Sequence, residues 1–317
     1  MELDESYYIY KLLKLKGVGP VLVNKMLARL SDIGEHISGT LLEDSVVDEL
    51  KNWLDDDQIE KLKTFDPQLH DQINQLKERN AHFVSKLDDK YPRILSLTIR
   101  NSTPPVLSCM GNLRLLEMPS AGFCGSRKAS QEGLHVARDC VKQLVREEVA
   151  IVSGYAGGVD QQVHLTALES GGFTIIVLPQ GILNFKIRRI LRDSWDWNRV
   201  LVISEFLPDD IWLSSRAMQR NKTIVGLSSV MVLIEAGKNG GSVDAGKSTL
   251  KLKRTLYVPF YENMLESAAG NKNLIELGAI PLFKDKKTSK ANINHLIDNI
   301  KRFNCSDNVS TEQLTFL

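Results

Sequence analysis

The chain is poor in the features that mark several protein classes. Its 317 residues hold only four cysteines, Cys109, Cys124, Cys140 and Cys305, with no C-x-x-C pair among them. That excludes a thiolate zinc site and argues for a reducing compartment rather than a disulfide-stapled scaffold. The six histidines show no metal-ligand spacing either, so no metal and no cofactor is expected. Charge of either sign is not in excess: 40 Lys+Arg against 39 Asp+Glu leave a net +1, so any basic site must be local. No uncharged apolar run approaches the ~18 residues that span a bilayer. The start, MELDESYYIYK, lacks a charged segment followed by an apolar one, so a soluble, cytoplasmic protein is expected. What is present, 43% hydrophobic and 25% charged residues, suffices for one large domain or two modest ones with proper cores.

Residues 1 to about 80 read as helical, because apolar residues recur at spacings of three and four in YYIYKLLKLK, VLVNKMLARL and LLEDSVVDELKNWL. This part carries 16 acidic and 10 basic residues, a net of −6. Within it, Leu15-Lys16-Gly17-Val18-Gly19-Pro20 has the form of a helix-hairpin-helix, whose exposed backbone N–H groups meet a DNA phosphate in one reading and serve packing alone in the other. The stretch LDDKYPRILSLTIRNSTPPVLSCMGNL reads as a turn-and-proline linker, since Tyr91-Pro92 and Pro104-Pro105 disfavour helix. From Ser120 short apolar runs (AGFCG, AIVSG, TIIVLP, RVLVISE, VMVLIEA, TLYVPF) alternate with helical candidates at about 129–147, 159–170, 214–226 and 242–252. This is the pattern of a doubly wound α/β domain with a parallel sheet. The expected division is a helical domain over 1–85, an α/β domain over 86–285, and a C-terminal helix and tail over 286–317 with no winged-helix domain.

Ligands of such sheets sit outside the carboxyl ends of the strands. There this chain has Gly125-Ser126-Arg127, Ser153-Gly154-Tyr155-Ala156-Gly157-Gly158, Pro179-Gln180-Gly181 and Gly237-Lys238-Asn239-Gly240-Gly241-Ser242. Glycine turns let backbone N–H groups converge on an anion, and helix N-termini add partial positive charge, so phosphate is the indicated ligand. Residues 213–260 hold eight basic and two acidic residues, a net of +6, and Arg220 and Lys222 beside these turns are candidate phosphate contacts. Tyr155 and Phe185 are candidates for stacking a base. Gly241 to Ser248 also fits the P-loop pattern G-x-x-x-x-G-K-S/T, with Lys247 as its lysine. It follows the fifth strand, and the later strand TLYVPF ends without a magnesium-holding Asp. For catalysis there is only an Asp160–His164 pair without a nucleophile, and Glu235 at the end of an apolar strand.

Together YPRILSLTIRNSTPPVLSCMGNLRLL, GSRKASQEG, VSGYAGGVDQQVHLTALESGGFTIIVLPQGI, ISEFLP, RNKTIVGLSSVMVLIEA and GGSVDAGKSTLKLKRTLYVPF resemble, over about 90–280, the DNA-processing protein A (DprA/Smf) family. The resemblance implies an extended Rossmann-like fold and a non-enzymatic protein. That protein would bind single-stranded DNA, load RecA recombinase onto it during natural transformation, and dimerise through the Rossmann-like domain. Carried over by position, its phosphate site would use Ser126, Arg127, Gly154, Gly157, Arg220, Asn221, Lys222, Gly241 and Ser242, with Lys247 in place of a usual Arg. Departures from the family pattern are Asp244 and the Ala217-Met218 pair where the family has Phe-Pro. A nucleotide-hydrolysing enzyme of a related fold, acting through Glu235 and Arg220, is the alternative, and a P-loop ATPase a further one.

Overall fold

The structure, a computed structural model, describes residues 3–39, 42–261 and 266–312, with side chains through 303. It contains a nine-stranded, mostly parallel sheet with helices. The chain divides into two compact units, one of residues 1–110, 180–185 and 203–212 and one of 111–179, 186–202 and 213–317. The boundary expected at 85/86 falls at the end of a strand inside the first of these. Among the described residues no helix is long and apolar enough to cross a membrane.

The first unit opens with five helices, α1 (Glu5–Lys14), α2 (Pro20–Asp32), α3 (Asp44–Leu50), α4 (Asp56–Lys63) and α5 (Pro67–Glu78). Their starts are set locally. Asp4 accepts from the Tyr7 N–H, Asp66 caps α5 ahead of Pro67, and Asp55 and Gln58 form a reciprocal capping box on α4. Their inward faces place Tyr7, Tyr10, Met26, Leu27, Leu30, Leu50 and Leu62 in one core. Lys11 lies in that core at 6% exposure, tolerated because its Nζ donates to the Leu62 carbonyl at 2.7 Å and to that of Thr64. The Gly17-Val18-Gly19 hairpin joins α1 to α2, with Gly17 at φ +82° and Gly19 as N-cap.

The stretch expected to be a linker is structured. It holds α6 (Arg93–Ile99) and β2 (Val106–Gly111), and β2 pairs antiparallel with β1 (Ala81–Ser85), Ser85 opposite Val106 and Ala81 opposite Met110. Proline blocks helix interiors but suits a helix start, where Pro92 sits, and the extended entry to a strand, where Pro104 and Pro105 sit.

The second unit follows the expected alternation: β3 (Ser120–Cys124), α7 (Gln131–Arg146), β4 (Ala150–Ser153), α8 (Val159–Glu169) and β5 (Thr174–Val177). β6 (Val200–Ser204), α9 (Ser214–Gly226), β7 (Val230–Leu233), α10 (Gly241–Lys251) and β8 (Leu256–Pro259) come next. α11 (Asn271–Glu276), β9 (Ile280–Leu282) and α12 (Asn294–Glu312) complete it. Strands β5-β4-β3-β7-β8-β9 lie in that order and are parallel throughout. β4 and β5 lie on one side of β3, β7 to β9 on the other, so the winding reverses between β3 and β7. Helices α7, α8 and α12 cover one face, with Cys140, Leu144, Val163, Leu296 and Ile300 buried against Ile151 and Val232.

Candidate nucleic-acid interface

At the point where the winding reverses, the carboxyl ends of β3 and β7 flank a cleft of about 480 Å³. This is the crevice in which doubly wound sheets hold ligands. One wall is the turn after β3, Gly125-Ser126-Arg127, and the opposite one is α9 with Arg220 and Asn221. The N-terminus of α10, with Gly241 and Ser242, closes the third side.

Local chemistry explains each wall. The turn after β3 docks on the start of α8. A Cβ on Gly125 would fall 2.6 Å from a Val159 methyl, and one on Gly158 only 2.3 Å from the Ser126 carbonyl oxygen. Gly158 also sits at φ +71°, a conformation that costs glycine least. α10 starts at Gly240, φ +108°, with no side-chain cap. The N–H groups of its first turn therefore have no intrahelical acceptor and face the cleft with the positive end of the helix dipole. The loop before α10 is fastened from behind. Asn271 Oδ1 accepts from the Ala236 N–H at 2.9 Å, its Nδ2 donates to the Ile234 and Pro259 carbonyls at 3.1 and 3.2 Å, and the Gly270 N–H donates to the Ala236 carbonyl at 2.8 Å.

Arg220 is the most buried charge lining the cleft, 5% exposed. Its guanidinium lies over Gly154, where a Cβ would come within 1.9 Å of Nη1. The Gly154 carbonyl is held from below by His164, whose Nε2 donates to it at 2.6 Å while Nδ1 lies 2.7 Å from the Thr174 hydroxyl. Burial pushes His164 down to about 4, with Arg220 and Arg188 adding to the effect against Asp160, so the ring is neutral at physiological pH. Asp160, 7% exposed and also lining the cleft, accepts from the Ala156 N–H at 3.2 Å. It shapes the second glycine turn rather than forming a relay with His164.

The structure thus brings Ser126, Arg127, Arg220, Asn221, Gly241 and Ser242 to one cleft, with Gly154 directly beneath Arg220. It does not bring the other three candidates there. Gly157 is not among the residues lining the cleft, although its neighbour Ala156 is. Lys222 is exposed on α9, two residues and so about 200° around the helix from Arg220. Lys247 lines a different depression, with Leu250, Asn273 and Leu277.

The P-loop pattern is a coincidence of letters. Gly241 to Lys247 lie within helix α10, so no loop is there to wrap a phosphate, and Gly246 is small because α10 packs on Leu274 and Leu233. Glu235 is fully buried and committed elsewhere, its two oxygens accepting from the Ser130 N–H at 2.9 Å and the Ser130 hydroxyl at 2.5 Å. Ser130 in turn caps α7 through the Gly133 N–H. Cys124 lines the cleft, but burial, with Asp160 adding to it, pushes its thiol up to about 12, which keeps Cys124 protonated at neutral pH.

The basic segment Lys186-Ile-Arg-Arg-Ile-Leu-Arg192 escaped the sequence reading. Arg188 anchors it on the second glycine turn, donating to the Ala156 carbonyl at 3.0 Å and to that of Tyr155. Its guanidinium covers one face of the Tyr155 ring, 4.5 Å from the centroid, so that face is taken by a cation and closed to a base. Lys186, Arg189 and Arg192 are exposed. The signal was in the sequence, four cations in seven residues, but it lay outside any strand or long helix.

The fold and cleft define a class, a Rossmann-like α/β protein with a cationic crevice at the strand ends. The sequence profile of DNA recombination-mediator protein A matches residues 82–292, and the chain belongs to that family. The DNA processing protein DprA of Streptococcus pneumoniae is 31% identical over 245 residues, 74% of this chain and 80% of that one. Protein Smf of Escherichia coli is 30% identical over 184 residues, 57% of this chain and 49% of that one. The X-ray structure of DNA processing protein A from S. pneumoniae matches at TM-score 0.73 and 27% identity, covering 89% of this chain and 95% of that one. A Helicobacter pylori DNA processing protein A, whose single-stranded DNA binding mode was solved, shares the fold at TM-score 0.58 and 22% identity, covering 70% and 96%.

Proposed function

We propose that the cleft holds phosphates of single-stranded DNA and that the protein is a DNA-processing recombination mediator. The observation that carries this reading is the buried Arg220 guanidinium, seated over Gly154 at the switch point and faced by the uncapped start of α10. Arg127, Ser126 and Asn221 supply further donors at the rim. Such a site grips backbone without reading bases, the requirement for a strand of any sequence. The cations at 186–192 extend the same track. Family membership supports protection of single strands and delivery to RecA recombinase, a homodimer, a cytoplasmic location and the lack of catalysis.

The test is fluorescence anisotropy of labelled oligo-dT across a salt series, with duplex DNA as the comparison. Expected are tighter binding to the single strand and an affinity that falls steeply with salt. Arg127→Ala and Arg220→Ala should each weaken binding, by about tenfold or more for the buried arginine. Equal binding by both variants and the wild type would overturn the reading. Purified protein should release neither base nor phosphate from nucleotides.

A further inference from the structure

The carboxyl edge of the parallel sheet continues past the cleft. β8 ends at Pro259 and β9 at Leu282, and each is followed directly by a phenylalanine, Phe260 and Phe283. Because β3, β7, β8 and β9 run parallel, both rings lie at the same edge as the turns around Arg220. The Phe260 N–H donates to the Leu282 carbonyl at 2.9 Å, and the ring centroids are 5.6 Å apart with planes inclined by 48°. The two residues are 52% and 55% exposed, although aromatic side chains of this size are usually largely buried. Beside them Lys284, Lys286, Lys287 and Lys290 are all exposed. The one acid of that loop, Asp285, is turned inward on its own backbone. It accepts from the Lys287 and Thr288 N–H groups at 3.0 and 2.7 Å and from the Thr288 hydroxyl at 2.9 Å.

We propose that Phe260 and Phe283 form a second contact surface for single-stranded nucleic acid, a pair of base-stacking rings flanked by four lysines. The inference rests on the reading of the cleft given above and extends it. Aromatic faces beside cations bind single strands of any sequence, since every base has a face to stack and every nucleotide a phosphate. The distance is short. At a strand spacing of ~4.8 Å, β9 lies about 10 Å from β7, a span that about three nucleotides cover even at the duplex rise of ~3.4 Å. A second copy of the chain is the rival occupant of exposed phenylalanines. A two-fold pairing there would set a loop of four lysines and one aspartate against its own image, which like charge disfavours. A nucleic acid backbone complements it.

The test compares wild type, the double variant Phe260→Ala/Phe283→Ala and the double variant Phe260→Trp/Phe283→Trp on oligo-dT of about 2 nucleotides, too short to span from the cleft to β9, and of about 20 nucleotides. On the long strand the alanine variant should bind about tenfold or more weakly with an unchanged salt slope, because stacking releases no counterions. On the short strand, which the cleft alone accommodates, it should match wild type, and the tryptophan variant should retain full affinity throughout. A long strand carrying abasic sites should bind wild type and alanine variant alike. Since both rings are exposed, thermal melting should be unchanged. Equal affinity of wild type and alanine variant for the long strand overturns the proposal while leaving the cleft reading intact, provided Arg220→Ala is impaired. A loss of DNA affinity that appears only together with a loss of self-association in sedimentation also overturns it and assigns the surface to a second copy. Failure of wild type to bind oligo-dT at all overturns both readings.

Discussion

Gly154 and Arg220 are fitted to one another: the Cα of one is the floor on which the guanidinium of the other rests, with room for no further atom. Gly154→Ala would leave every charge of the cleft in place and move only the deepest. The guanidinium is the far end of a flexible side chain, so it shifts and the fold survives. The expected outcome is an affinity for oligo-dT lowered by about tenfold, and a salt slope reduced by about 0.7, the value of one phosphate contact on a single strand. Unaltered affinity and slope would show that Arg220 does not touch phosphate.

That relationship also marks the limit of what could be read in advance. Strands β3, β4, β5, β7 and β8 were legible because they are buried on both faces, which forces continuous apolar runs such as Ile151-Val152 and Val230 to Leu233. β1, β2 and β9 were not. β1 is exposed in part and lacks a continuous apolar run, β9 has three residues and carries Pro281, and β2 directly follows Pro104 and Pro105, residues that read as punctuation. The glycine turns announced a phosphate site, but a turn does not say which of its glycines must stay small. Gly154 and Gly158 are pinned by Arg220 and Ser126, residues 66 and 32 positions away, whereas Gly157 is open. The anchoring of Arg188 on Tyr155, 33 residues away, likewise exists only once the chain is folded.

His164 predicts a pH dependence of stability. Its folded value, about 4, lies below the ordinary 6.5 because burial penalises the charged ring. Between those values the unfolded chain binds a proton that the folded one refuses, so stability is complete above about pH 6.5 and falls as pH drops toward 4. From pH 6.5 to pH 5 the loss attributable to this residue is about 2 kcal/mol, at 1.36 kcal/mol per pH unit. Urea melts of wild type and His164→Gln at the two pH values should show a steeper dependence in wild type. Parallel curves would mean that the ring is not excluded from protonation by the fold.

Glu235 should matter for stability and not for DNA. Glu235→Gln leaves one oxygen to accept from Ser130 and puts an amide where the second acceptor stood, against a backbone N–H at 2.9 Å. Leaving a buried donor unsatisfied costs about 1–3 kcal/mol, which chemical denaturation would register, while oligo-dT affinity stays within about twofold. A variant that kept its stability and lost DNA binding would place this carboxylate in the site after all.

The P-loop letters lead to opposite expectations for two adjacent residues. Lys247 is exposed and lines the depression beside Leu277, so Lys247→Ala should leave oligo-dT affinity and salt slope as they are, whereas Arg127→Ala at the cleft lowers both. Gly246, next to it, is wedged against α11 and β7, with a Cβ position 2.8 Å from one Leu274 methyl and 3.0 Å from a Leu233 methyl. Gly246→Ala therefore overpacks α10 and should cost about 1–3 kcal/mol of stability. A P-loop lysine and glycine would behave otherwise. ATP turnover by wild type, lost in Lys247→Ala while the melting curve stays fixed, is the result that would restore the nucleotide-hydrolysis reading. The helical backbone from Gly241 to Lys251 argues that no such turnover will be found.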